Sequence, residues 1–305
     1  ITVNPIVSEI ASWYEKFRNA MEYRQDEVIL QTTILRILKR RSLMGVQKEI
    51  AGPLVKELIW ARYLPDGSVP ETRIKEAEEK INLYVSLKKY ITEHKILKDA
   101  DATEWMYHLL SSDLENLLSP SHEREAMVNY IFHALHPNIT IENDDEDAIN
   151  VQLFIAIRRT YTKDNLALLR FNLFRQYFGE LTSDNYGKVA EGFKQAHADI
   201  EKALSYPRRH KISAYVKRYI PPFLILEELL RTHKADIHTI LENEEEFSNL
   251  IMETCERKYK GIASKVRRAI IRSVIFILMS KVLFAFAIEG TYERYVYGHI
   301  QWVSL

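Results

Sequence analysis

Apolar side chains recur along this chain with the period of a helix. Ile6, Ile10, Trp13, Phe17 and Met21 fall at i, i+4, i+7, i+11 and i+15, one stripe of a 3.6-residue repeat. A second run, Val28 to Leu38, closes on Lys39-Arg40-Arg41, cations that suit the negative end of a helix dipole. "LPDGSVPETRIKE" (64–76) reads as a turn, with Ser68 as N-cap and Pro70 in the first turn of the next helix. Further starts are expected at Asp101, Ser121, Asp164, Ser183 and Asp236, each ahead of a periodic apolar run. "YIPPF" (219–223) should interrupt or kink a helix, because neither proline carries a backbone N–H. The pattern predicts an all-α, multi-helix bundle of about ten to thirteen helices, with no significant sheet and no repeat of fixed period.

"HPNITIENDDED" (136–147) has no helical period and carries a proline and a cluster of acids. It marks an internal division of a helical domain over 1–256, or else a surface loop whose Asp144 to Asp147 cluster favours the next helix N-terminus. The remainder, 257–305, reads as a basic and apolar helical region packed on that domain.

Composition narrows the class further. Of 305 residues, 47% are hydrophobic and 28% charged, the balance of a folded globular chain and not a disordered one. Nine glycines and nine prolines are too few for the tight turns of an all-β fold. Formal net charge is zero, so no global field draws the chain to nucleic acid. The single cysteine, Cys255, cannot staple the fold and fits a reducing compartment. The sequence lacks an initiator methionine and stops in an aromatic stretch at Leu305; both ends read as cut. Asn138-Ile139-Thr140 has the form of a glycosylation triplet, a form that also arises by chance.

Local catalytic signatures are missing. The glycines form neither a phosphate-binding loop nor a dinucleotide fingerprint, and no zinc-protease histidine pair occurs. No Glu-x-x-His, His-Asp dipeptide or Gly-x-Ser-x-Gly elbow is found. His133 and His136 share a helix face near Asp144, Asp145 and Asp147, a spacing open to a metal, although His136 before Pro137 better suits a helix end. His197 and Glu201 share a face as an ordinary polar contact. No catalytic residue, metal or cofactor is expected. Arg36/Lys39/Arg40/Arg41 and Arg208/Arg209/Lys211/Lys217/Arg218 are basic clusters; the second, with Tyr206, Tyr215 and Tyr219, could track a nucleic-acid backbone. Tyrosines among basic residues are equally ordinary on helices, so nucleic acid is the weaker reading.

Charge is segregated more sharply near the C-terminus. Asp236 to Glu256 holds acids and no base; Arg257 to Arg272 holds bases and no acid. Lys258, Lys260, Lys265, Arg267, Arg268 and Arg272 are the candidate membrane- or partner-binding residues, since each base near an anionic lipid surface contributes about 1 kcal/mol. Two neighbouring helices paired through opposite charge would account for the same pattern. Ser273 to Ile288 follows, apolar except for Ser273, Ser280 and Lys281. As a helix it spans about 24 Å, short of a hydrocarbon core of about 30 Å. Lys281 at mid-bilayer would cost about 3 kcal/mol. A helix apolar on every face must be buried in protein or in lipid. The expectation is an exposed basic first half and a buried second half, with Lys281 held by an acidic or carbonyl partner. Tyr292, Tyr295, Tyr297 and Trp302 beyond it suit a membrane interface or a packed edge.

"IASWYEKFRNAMEYRQDEVILQTTILRILKRR" (10–41), "AGPLVKELIWARYLP" (51–65) and the closing "KVRRAIIRSVIFILMSKVLFAFAIEGTYERYVYGHIQWVSL" resemble uncharacterised helical, membrane-associated proteins of candidate-phylum bacteria. The resemblance implies a location, with spanning segments following, and no activity. Together these readings point to a non-catalytic scaffold or interaction domain at the cytoplasmic face of a membrane. Its partners would be an anionic membrane surface, a membrane-embedded continuation of the chain, or another protein. The alternatives are a soluble all-α enzyme with a site assembled from distant helices, and a nucleic-acid-binding helical protein.

Overall fold

The computed structural model describes residues 29–43, 49–139, 146–234 and 237–284, with positions 287 and 295. The stripe from Ile6 to Met21, the predicted start at Asp236 and Asp144 and Asp145 lie outside them. The described residues are all-α, without strand. The helices are α1 (Ile29–Leu43), α2 (Ala51–Trp60), α3 (Glu71–Glu93), α4 (Asp99–Leu118), α5 (His122–Leu135) and α6 (Glu146–Ile157). They continue as α7 (Leu166–Phe178), α8 (Tyr186–Leu204), α9 (Arg209–Thr232), α10 (Ile237–Glu242) and α11 (Glu244–Phe284). The chain divides into two compact units, Ile1–Pro221 and Pro222–Leu305. Both helices flanking 136–147 fall in the first unit, and α5 packs against α6.

Helix starts follow local chemistry, with small shifts from the expected residues. Ser121 is the N-cap of α5. For α7 the cap is Asn165, one residue past Asp164, and its side chain accepts from Leu168 N–H at 3.0 Å. α4 begins at Asp99, which places Asp101 within the first turn, where the dipole favours an acid. Ser68 instead donates to the Pro65 carbonyl at 2.7 Å, and Pro70 sits at the N-cap of α3 in extended geometry. α8 is capped at Asn185, two residues beyond Ser183. Pro221 and Pro222 lie inside α9; their missing N–H groups leave the Lys217 and Arg218 carbonyls without helical donors, and the division between the units falls between these two prolines.

The core of the first unit is organised around α4, which packs against α1, α3 and α7. Leu109 to Leu114 are all buried, six consecutive positions covering more than one full turn, so this helix is enclosed on every side. Ser111, Ser112 and Asp113 sit in that run, and each has partners, as buried polar groups must. Gln31 on α1 donates to the Ser111 hydroxyl at 2.7 Å, and Ser112 donates to the His108 carbonyl at 2.9 Å. Asp113, 1% exposed, accepts from Lys80 Nζ at 2.9 and 3.0 Å and from the Tyr84 hydroxyl at 3.0 Å. Burial raises the Asp113 carboxyl above its ordinary value although Lys80 pulls it down. α8 closes the core with Val189, Phe193, Ala196, Ile200 and Leu204 along one face.

After α6 the chain widens into a π-helical turn, Arg158–Thr162, ended by Lys163 in the left-handed region at φ 58°. Such single π-turns are rare and recur at functional sites. Here the turn contributes Arg158 to a cleft.

Candidate functional site

The basic block and the acids from Glu244 to Glu256 lie on one helix, while Glu242 closes α10. α11 runs from Glu244 to Phe284, about 60 Å of continuous helix. Glu244, Glu245 and Glu246 occupy its first turn, the positive end of the dipole. The sign change at Glu256/Arg257 is bridged along the helix itself, by Glu253–Arg257 at 4.0 Å and Glu256–Lys260 at 3.0 Å.

The six candidate basic residues divide by what they touch. Lys258 donates to the Leu224 carbonyl at 2.8 Å and lies 4.0 Å from Glu228, while Lys260 is paired with Glu256. Among the described residues Arg268 donates only to the Ser264 carbonyl one turn back, at 3.3 Å. Arg267 and Arg272 are exposed, with no ion pair among the described residues. Lys265 is on the same helix, its side chain outside the described residues.

The apolar second half is not buried in protein among the described residues. Ile275, Phe276, Ile277, Leu278 and Met279 are 55%, 73%, 52%, 59% and 66% exposed, a consecutive run covering the whole circumference. Lys281 is exposed and has no acidic partner among the described residues. No helix among the described residues is long and apolar enough to cross a membrane. Tyr295 is 91% exposed; Tyr292, Tyr297 and Trp302 lie outside the described residues.

A second feature, with no local sequence signature, is a cleft of about 410 Å³ in the first unit, between α4, the start of α5, the π-helical turn and α7. Arg158, 4% exposed, organises one wall. It donates through both terminal nitrogens to the two Glu125 carboxylate oxygens, lies 3.5 Å from Asp164, and donates to Asn172 Oδ1 at 3.3 Å. Asn172 in turn donates to Asp164 at 3.1 Å. The Arg158 Nε is buried and has no hydrogen-bond partner among the described residues. Burial raises the Asp164 carboxyl despite the guanidinium beside it. Glu115 of α4 also lines the cleft, pushed up to about 7 first by burial and then by the Asp164 charge, against Arg124 and the Gln31 backbone N–H. Arg124 lies at the rim, exposed, with no ion pair among the described residues.

Other sequence candidates resolve into structural contacts. His133 Nδ1 lies 2.7 Å from the Asn129 carbonyl and His136 stacks on Phe132; among the described residues no group of His, Cys, Asp and Glu could hold a metal. His197 packs on the Trp105 ring at 4.7 Å, and burial lowers its pKa. Glu201 instead pairs with Arg170, at 2.7 Å. Arg170 also lies over Trp105 and donates to His108 Nδ1 at 2.9 Å. Burial, then the Arg170 charge, holds His108 down at about 4, so its ring is neutral near pH 7 and ties α4 to α7. Arg40 and Arg41 both pair with Glu57 on α2, and Arg209 donates to the Leu204 carbonyl at 2.8 Å. The chain matches no protein-family model, no curated protein and no solved structure.

Proposed function

We propose that this protein is a helical interaction module that docks on an anionic membrane surface through α11. The observation that carries the reading is the stretch Val274–Phe284, whose apolar side chains stand exposed on every face directly beyond Arg267, Arg268 and Arg272. A protein groove takes up one stripe of a helix, whereas lipid accommodates all of its faces. An apolar segment too short to span, preceded by exposed cations without an ion pair among the described residues, suits an element at the headgroup boundary with its bases on anionic lipid. The cytoplasmic leaflet, which carries the anionic lipid, is the natural partner for that basic stretch. Of the six bases, Lys258 and Lys260 are engaged within the protein, Arg267, Arg268 and Arg272 meet the surface, and the Lys265 side chain lies outside the described residues.

Co-sedimentation with phosphatidylcholine vesicles, with and without phosphatidylserine, tests this. Binding should require the anionic lipid and weaken with salt. The triple variant Arg267/Arg268/Arg272→Ala should lose about a hundredfold in affinity, at about 1 kcal/mol per base. Binding indifferent to phosphatidylserine and to the triple variant would overturn the proposal in favour of a protein partner for the apolar face.

A further inference from the structure

We infer that the first half of α9 and the concavity beside it form a binding surface for single-stranded nucleic acid. The inference is independent of the membrane reading, since every residue of this surface precedes Pro222 and lies in the first unit.

From Lys202 to Leu226 the chain carries six lysines and arginines and no acid. The fold sets part of that run on one exposed stripe. Lys211, Tyr215, Arg218 and Tyr219 fall at i, i+4, i+7 and i+8 of α9, neighbouring positions on one helix face. All four are exposed, and Lys211 and Arg218 have no ion pair among the described residues. The two tyrosine rings lie 5.0 Å apart, tilted by 49°, an aromatic pair left at the surface.

A concavity between the π-helical turn, α8 and the start of α9 extends the positive charge. Arg159, Glu201, Arg209 and His210 line it. Glu201 is taken by Arg170 at 2.7 Å, which leaves Arg159 and Arg209 without an acid of their own among the described residues. Burial, then the Arg209 charge, lowers the Arg159 pKa. The two guanidiniums therefore repel each other, and a polyanion laid beside them relieves that repulsion.

The tyrosines decide which polyanion fits. A lipid surface takes up apolar side chains beneath its headgroups, and the aliphatic residues of this half of α9, Ile212, Val216 and Ile220, are buried. An acidic protein segment would use the bases and leave the rings idle. In a single strand the unpaired bases stack on exposed aromatic rings while the phosphates meet lysine and arginine, a combination that holds the strand without reading its sequence.

Fluorescence anisotropy of the full chain with labelled oligouridylate of about ten nucleotides, and separately with its deoxy counterpart, is the test. Saturable binding of either supports the inference; binding of the ribose form alone assigns the surface to RNA through the 2′-hydroxyl. With Arg159, Arg209, Lys211 and Arg218 on phosphates, log K should fall against log salt with a slope of about −3. Tyr215→Ala/Tyr219→Ala and Lys211→Gln/Arg218→Gln, exposed substitutions whose folding is checked by circular dichroism, should each weaken binding about tenfold. Arg267/Arg268/Arg272→Ala should leave it unchanged. No saturation with either strand, binding indifferent to the tyrosine variant, or loss in the α11 variant instead overturns the inference. A Lys211/Arg218 variant that loses phosphatidylserine vesicles and keeps the oligonucleotide overturns it in favour of lipid.

Discussion

Replacing Glu115 by Gln should stabilise the protein, and only at the alkaline side of its titration. Gln keeps the shape and an oxygen able to accept from the Gln31 N–H, while removing the charge. The folded carboxyl titrates at about 7 against an ordinary 4.5, principally because it is buried. Below 4.5 both states hold the proton and there is no difference. Between 4.5 and about 7 the folded state keeps a proton that the unfolded state has released, so stability falls as pH rises. Above about 7 that contribution is gone. At about 1.4 kcal/mol per pH unit the full loss is about 3 kcal/mol. His108 has the opposite sign: its folded pKa of about 4 lies below 6.5, so its contribution is present above 6.5 and is lost as pH falls toward about 4.

The two slopes nearly cancel over their shared range, so the wild-type profile alone would conceal both. The difference between wild type and Glu115→Gln isolates the carboxyl. Urea unfolding followed by circular dichroism, at intervals from below 4.5 to above 7, measures it. The difference should be near zero at the acid end and grow to about 3 kcal/mol in favour of the variant. A difference constant with pH, or a wild type that is the more stable above neutrality, would refute the account of a buried, desolvated carboxyl.

Two further outcomes are expected. Asp113→Ala strands a Lys80 ammonium and the Tyr84 hydroxyl and should cost about 3–5 kcal/mol in urea unfolding; the double variant Lys80→Met/Asp113→Leu should recover most of it. Gly179 closes α7 at φ 75°, so Gly179→Ala should lower stability by about 1–2 kcal/mol, read as a fall in thermal midpoint.

Part of this architecture was legible because helix propensity and capping are local. Ser121 ahead of an apolar run predicts the start of α5, and the face Val189, Phe193, Ala196, Ile200 on α8 carries its own period. The cleft was not legible. Glu115, Arg124, Arg158 and Asp164 come from α4, α5, the π-helical turn and the loop before α7, and no spacing along the chain joins them. The signals present were oblique: Arg158 closes the apolar run "LFIAI" and Ser111-Ser112-Asp113 interrupts the apolar face of α4, and polar residues in such places require partners that the sequence does not name.

The C-terminal helix divides the question most clearly. Sequence alone determined that acids give way to bases at Glu256/Arg257 and that an apolar stretch follows, because composition is a property of the chain. Tertiary structure decided that the bases share one helix with the acids from Glu244 onward, that Lys258 and Lys260 are engaged within the protein, and that the apolar stretch stands uncovered among the described residues. Burial is a relation between segments: a helix apolar on every face demands a cover, and whether the protein itself supplies one depends on how much chain packs around it.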